Sequence, residues 1–181
     1  MNRIVAVVGM CGSGKSVVTE VFRGRGWDTV YFGGVTMKIL AEEGLEKTPE
    51  NEKTVRERLR SEYGMAAYAV TLESEIREKA EKGPVVLDGL YSWSEYKYLY
   101  DRLDGNLTLL AVIANKADRY SRLTGREVRP LTPDQARSRD IAEIENLEKG
   151  GPIAFADEYI VNFGSLGALK EQTERFIASL K

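Results

Sequence analysis

The sequence predicts a three-layer α/β/α fold, with a mostly parallel sheet of about five strands held between two layers of helices. Two observations carry that expectation. Short apolar runs rich in valine and leucine recur along the chain, at Val5 to Val8, Val85 to Leu87 and Leu107 to Ala114, as buried parallel strands require. Each is followed by a segment whose apolar residues recur at helical spacing, and strands alternate with helices to the end.

The first run, Val5-Ala6-Val7-Val8, passes into Gly9-Met10-Cys11-Gly12-Ser13-Gly14-Lys15-Ser16, and Val17 to Arg23 continues as a helix that Gly24-Arg25-Gly26 closes. Trp27 to Phe32 reads as the second strand. Gly33-Gly34 turns the chain into a short helix, Val35 to Glu43, stopped by Gly44. Thr48 then stands as N-cap with Pro49 at the first helical position, and Glu50 to Tyr63 and Met65 to Lys82 form a long helical excursion broken at Gly64. Gly83-Pro84 punctuates before the strand Val85 to Asp88. Ser92 caps a helix from Trp93 to Leu103, whose Trp93, Tyr96, Leu99, Tyr100 and Leu103 recur at threes and fours as a core stripe. Leu107 to Ala114 is a further strand, and a cation-rich helical stretch follows. Gly150-Gly151-Pro152 ends the next helix, Glu158 to Val161 is the last strand, and Leu166 to Leu180 the closing helix. No repeat, low-complexity tract or linker appears, so one domain is expected, with a helical insertion over about 34–82 and a lid over about 116–150.

Gly9 to Ser16 fits G-x-x-x-x-G-K-[ST] at every fixed position, in the strand-to-helix context that the motif needs. Gly9, Gly12 and Gly14 let successive N–H groups turn inward around an anion, with the positive end of a helix behind them. Lys15 would place an ammonium on the β/γ-phosphates of a nucleoside triphosphate, and the Ser16 hydroxyl would complete the shell of Mg2+. Asp88, at the carboxyl end of its strand, is placed to order that ion's hydration shell, although Asp-Gly is also a good turn pair. Lys116, Arg119, Arg122, Arg126, Arg129, Arg137 and Arg139 follow the fourth strand. Singly, they read as an ion-paired surface, since Asp118, Glu127, Asp134 and Asp140 are interspersed. As a set, they point to a mobile basic cover that closes over a transferring phosphoryl group.

Composition narrows the chemistry. The net charge of −2 leaves no electrostatic footprint for nucleic acid, and no apolar run reaches the length of a membrane span. Met1-Asn2-Arg3 runs straight into the first strand, and Cys11 is the single cysteine, so a cytoplasmic protein is expected. Cys11 reads as a small residue that fits its loop, or as a thiol activated by the helix terminus and Lys15. Histidine is absent, which removes His-based triads, His general bases and His-ligated metals.

Asn115-Lys116-Ala117-Asp118 matches the N-K-x-D pattern by which small GTPases read guanine. That class also needs D-x-x-G after its metal-binding strand, and here the strand ends Asp88-Gly89-Leu90-Tyr91. A GTPase therefore stands as an alternative reading.

Over nearly its full length the chain resembles the nucleotide-kinase branch of phosphate-loop proteins, dephospho-CoA kinases and the archaeal adenylate-kinase-like group above all. Gly9 to Ser16 matches their phosphate loop and Val85 to Gly89 their metal-binding strand. Arg119-Tyr120-Ser121-Arg122-Leu123 is similar to their R-x-x-R-L lid entry, and Arg139-Asp140 to their lid-exit pair. Ala156-Asp157-Glu158-Tyr159-Ile160-Val161-Asn162-Phe163-Gly164-Ser165-Leu166 resembles the A-D-x-x-I-x-N-x-G-S-L segment lining their adenine pocket. The resemblance implies transfer of the γ-phosphoryl group of ATP-Mg2+ to a small nucleotide-like acceptor. It places Gly9, Cys11, Gly12, Ser13, Gly14, Lys15, Ser16 and Val17 on the nucleotide, Arg119, Asn162 and Gly164 near its base, and Arg122 and Arg126 on transition-state charge. On the acceptor side the chain departs from the pattern. Gly34 stands where related kinases carry an Asp, and Met37 and Tyr91 where the adenylate-kinase-like group carries arginines. Lys38, Arg56 and Arg60 are the remaining cations for an acceptor, beside Gly34 and Tyr91. An ATPase or nucleotide-dependent binding protein with a degenerate acceptor site is the other alternative.

Overall fold

A computed structural model describes residues 1–180. Its centre is a five-stranded, all-parallel sheet in the order β2-β3-β1-β4-β5, built from β1 (Ile4–Val8), β2 (Asp28–Tyr31), β3 (Val85–Asp88), β4 (Thr108–Ile113) and β5 (Glu158–Val161). Every residue of β1 is buried, yet alternate side chains enter different cores. Ile4, Ala6 and Val8 point into the larger one, beneath α2 (Gly33–Glu42), α3 (Pro49–Tyr63), α4 (Ala67–Lys82) and α5 (Trp93–Arg102). Val5 and Val7 join Val18, Phe22, Val112 and Leu169 beneath α1 (Lys15–Gly24) and α9 (Leu166–Ser179). A strand covered on both faces has no use for a polar residue, which is why β1 reads as an unbroken apolar run. Among the described residues no helix is long and apolar enough to cross a membrane.

Register brings the carboxyl ends of the strands to one edge. Val7 pairs with Asp88, Tyr31 with Asp88 and Val8 with Ala111, so β1, β2, β3 and β4 open on the same crevice. The chain crosses over β1 between β3 and β4, and such a switch point is where open α/β sheets hold ligands.

Several local expectations hold. Thr48 caps α3, its hydroxyl accepting the Asn51 N–H at 3.2 Å with Pro49 behind it. Ser92 and Glu95 form a reciprocal capping box at the start of α5. Gly64 separates α3 from α4 as the first residue of a short 3-10 turn, Gly64–Ala66.

Three expectations are corrected. Gly33-Gly34 is the first turn of α2 rather than a turn before it, with Phe32, fully buried, anchoring the entry. Gly150-Gly151-Pro152 opens a short helix of its own, α8 (Gly150–Ala154), instead of closing the preceding one; that helix, α7 (Pro133–Glu145), has already ended, and proline is accommodated in a first turn, where its missing N–H has no partner to lose. The aromatic stripe of α5 is only in part core: Tyr96, Leu99 and Leu103 are buried, Trp93 half-buried and Tyr100 exposed.

Candidate active site at the phosphate loop

The loop between β1 and α1 is shaped by glycines in backbone conformations that side chains resist. Gly9 has φ 147° and a Cβ there would lie 2.5 Å from the Val112 carbonyl oxygen; Gly14 has φ 108° and a Cβ there would lie 2.5 Å from Asn162 Nδ2. The close approach at Gly14 has a purpose. Asn162, buried at the end of β5, donates from Nδ2 to the Ser13 carbonyl at 2.8 Å, while its own N–H reaches Ile113 at 2.7 Å. The turn after β5 thus braces the loop.

Lys15 opens α1 and turns its ammonium back onto the carbonyls of Gly9 (2.8 Å) and Met10 (3.1 Å). Burial and the neighbouring Lys149 charge lower its pKa to about 8, against opposing pulls from Glu143, Cys11 and Asp88. Ser16 is exposed in the first turn of α1 and Val17 half-buried against the second core. Asp88 ends β3 beside β1; burial raises its pKa, and Lys15 acts in the opposite direction. The Ser13 hydroxyl is buried without a hydrogen-bond partner.

The stretch expected to form the lid begins at α6 (Lys116–Thr124), which Asn115 caps. Arg119 is buried and forms a two-pronged pair with Asp140 of α7, at 2.7 and 2.6 Å, while also donating to the Cys11 carbonyl at 3.0 Å. Arg122 bridges the Gly12 and Asn162 carbonyls, at 3.3 Å each, and Arg126 reaches the Cys11 thiol at 3.9 Å. A small cluster of Cys11, Leu123 and Ala136 packs loop and lid together. Farther out, Arg129 of the lid pairs with Glu52 of α3 at 3.1 Å, so the lid touches the helical insertion. Arg119, Arg122 and Arg126 thus all contact the loop. Gly164, on the exposed turn before α9, lies beyond this cluster of contacts.

A family model described as an AAA domain matches residues 5–146. UPF0200 proteins match almost end to end. That of Thermococcus gammatolerans is 36% identical over 181 residues, covering 98% of this chain and 93% of the relative. That of Aeropyrum pernix is 38% identical over 175 residues, covering 95% and 90%. The chain carries an AAA domain and belongs to the UPF0200 family. Its fold is shared with TT1252 from Thermus thermophilus (TM-score 0.67, 20% identity, 99% of this chain and 98% of that one). The same holds for a gluconokinase from Sinorhizobium meliloti (0.60, 18%, 99% and 93%) and a dephospho-CoA kinase from Campylobacter jejuni (0.58, 16%, 99% and 98%). At these identities the likeness is one of fold: this UPF0200 protein has the phosphate-loop, kinase-like architecture.

The residues expected to meet an acceptor are less convergent in the UPF0200 chain. Lys38 is exposed and, among the described residues, pairs with Glu42 at 3.9 Å. Arg56 leans on Glu52 at 3.5 Å. Arg60 is half-buried with its Nε enclosed and unpartnered, and its charge is felt by Tyr68 and by Glu95, whose pKa burial raises to about 7. Gly34 has room: a Cβ there would make only an ordinary 3.6 Å contact with Tyr31. The Tyr91 N–H is taken by Glu95 at 2.7 Å, and its ring lies under Lys149 at 4.6 Å. A groove of about 600 Å3 between α5, α7 and α8 is lined by Trp93, Ile144, Gly151 and Phe155 among others and includes no residue of the phosphate loop.

Sequence reasoning missed Glu143 and Lys149. Glu143 is buried on α7 and accepts the Cys11 N–H at 3.0 Å and the Lys149 ammonium at 2.8 Å. The three-residue step from Asp140 to Glu143, which puts both on the loop-facing side of α7, was the available signal. Lys149 follows a residue at φ 52°, Glu148, and no pattern marks it.

Proposed function

We propose that this protein is an ATP-dependent kinase that moves the γ-phosphoryl group of ATP-Mg2+ to a small, nucleotide-like acceptor. The observation that carries the reading is the phosphate loop itself: glycines at positive φ, Lys15 at its mouth, and three lid arginines reaching its carbonyls and thiol. Phosphoryl transfer asks a protein for positioning and charge neutralisation, and this is the equipment present. Lys15 would hold the β/γ-oxygens, and Arg122 and Arg126 would neutralise charge that develops in transfer. Arg119 would fix the lid helices to the loop, and Asn162 would brace the side where the base is expected.

Mg2+ fits this donor set. Among the described residues no group of three or more His, Cys, Asp or Glu could hold a metal alone. An ion held by Ser16 and Asp88 would thus complete its octahedron with phosphate oxygens and water, as Mg2+ prefers. Bound there it would neutralise phosphate charge that develops during transfer.

Asn115 and Asp118 speak against guanine reading. The Asn115 side chain accepts the Asp118 N–H at 2.9 Å and donates to the Asp118 carboxylate at 2.7 Å, so the pair serves as a helix cap. Titration calorimetry with ATP and GTP tests this, and a preference for GTP by ~2 kcal/mol or more would overturn it, since a buried base-reading set is worth that much. The ATPase reading is favoured by one observation, the scattering of Lys38, Arg56 and Arg60; hydrolysis of ATP without transfer to any acceptor would establish it.

A further inference from the structure

Two cations, Arg139 and Lys149, pair with a single buried carboxylate, that of Glu143, at the lip of the phosphate loop, and its charge is felt by Lys15. Glu143 Oε2 takes the Cys11 N–H at 3.0 Å and the Lys149 ammonium at 2.8 Å, and Oε1 takes Arg139 Nε at 3.3 Å. The side chains of Glu143 and Lys149 are each only 4% exposed. The backbone repeats the link, the Lys149 N–H donating to the Glu143 carbonyl at 3.1 Å, and the Tyr91 ring closes the far side of the ammonium at 4.6 Å.

A carboxylate bonded at once to a phosphate-loop amide and to a buried ammonium occupies the chemical role of a phosphate oxygen. Lys15 and Lys149 also repel one another in a water-poor setting, and Lys15 feels that repulsion more than the pull of Glu143 or Asp88. An arriving phosphate relieves it.

We propose that Lys149 is a second phosphoryl-site cation and that Glu143 is the residue that positions it. The γ-phosphate of a bound triphosphate would take over the Lys149 ammonium and the Cys11 N–H from the Glu143 carboxylate, which would stay paired with Arg139. The inference rests on the nucleotide reading above and adds to it a specific consequence: Lys149 distinguishes triphosphate from diphosphate, whereas Lys15, touching both β- and γ-oxygens, serves either.

The test is calorimetric affinity for a non-hydrolysable ATP analogue and for ADP, with Mg2+, on the full chain. Lys149→Met should weaken the triphosphate by about ten- to a hundredfold and ADP by less than about threefold, the loss expected for one charge-assisted hydrogen bond. Lys149→Arg should recover most of that ratio. Glu143→Gln keeps an acceptor for the Cys11 N–H but drops the competing charge, and should tighten the triphosphate several-fold relative to ADP. Because a lone Lys149→Met leaves a carboxylate with one cation fewer, the double change Glu143→Gln with Lys149→Met, which removes both charges of the pair, provides a folded reference that should show the lost ratio relative to Glu143→Gln. Equal weakening of both nucleotides, or no weakening, in the Lys149→Met and double variants overturns the assignment. A Glu143→Gln protein that binds the triphosphate more weakly overturns the exchange. Lys15→Ala separates the two levels: if it leaves both affinities intact, or if the wild type binds neither nucleotide, the nucleotide reading has failed and this inference with it.

Discussion

Replacing Arg119 by Met tests how the lid is fastened to the phosphate loop. Arg119 is buried, bonded through both terminal nitrogens to Asp140 and through one of them to the Cys11 carbonyl. Its loss leaves the Asp140 carboxylate enclosed with no cation at bonding distance. Removing one partner of a buried pair costs about 3–5 kcal/mol, a large share of the roughly 5–15 kcal/mol that holds a domain together. Removing both, as Arg119→Met with Asp140→Leu, should cost far less, because no charge is then stranded. Urea unfolding at pH 7, followed by the fluorescence of Trp27 and Trp93, measures both. Acid adds a sign. Burial pushes the Asp140 pKa up, but the Arg119 hydrogen bonds and charge outweigh it and hold the carboxyl below its ordinary value of 3.8. The pair's contribution is therefore full above that value and is lost as pH falls through the depressed one. In Arg119→Met the unpartnered carboxyl shifts the other way, so the gap between wild type and variant should narrow on acidification. A loss under about 1 kcal/mol at pH 7, or a double variant as unstable as the single, would refute the fastening.

Lys15 has a pKa of about 8 in the free protein, and phosphate oxygens would draw it back toward 10.5. Binding of ATP should therefore take up a proton above pH 8 and be about tenfold weaker at pH 9 than at pH 7, read by calorimetry in buffers of differing ionisation enthalpy; pH-independent affinity over that range would contradict it. Ser92→Ala removes a cap bond to the Glu95 N–H (2.9 Å) and one to the Met65 carbonyl (3.1 Å), and should cost about 1–2 kcal/mol in urea. Arg129→Ala cuts the lid from the helical insertion at Glu52, so amide exchange over residues 125–132 should speed up with little change in melting temperature. Unchanged exchange there would show that the pair does not restrain the lid.

What could be read from the sequence was whatever is local. The phosphate loop is contiguous, and its strand and helix flanks carry their own patterns. Thr48 and Ser92 cap the helices that follow them, with partners three residues on. Local patterns also misled where one residue type serves two ends of a helix. Gly33-Gly34 and Gly150-Gly151-Pro152 carry the marks of a break, yet both lie inside first turns, which the packing of Phe32 and the reversal at Glu148 determine. The site's pairings were out of reach because they are tertiary. Arg119 finds Asp140 21 residues away, Cys11 finds Glu143 132 residues away, and Asn162 finds Ser13 149 residues away. The same distance in sequence hid the exposure of Lys38, which nothing in its neighbours distinguishes from a cation turned inward.

The central claim, transfer of a phosphoryl group from ATP, is tested most directly by incubating the protein with ATP labelled at the γ-phosphate, Mg2+ and a panel of nucleotides, nucleosides and dephospho-CoA. The expected result is label in one acceptor class, abolished by Lys15→Ala in a protein that still folds. Label released only as inorganic phosphate, or transfer that survives Lys15→Ala, would contradict it.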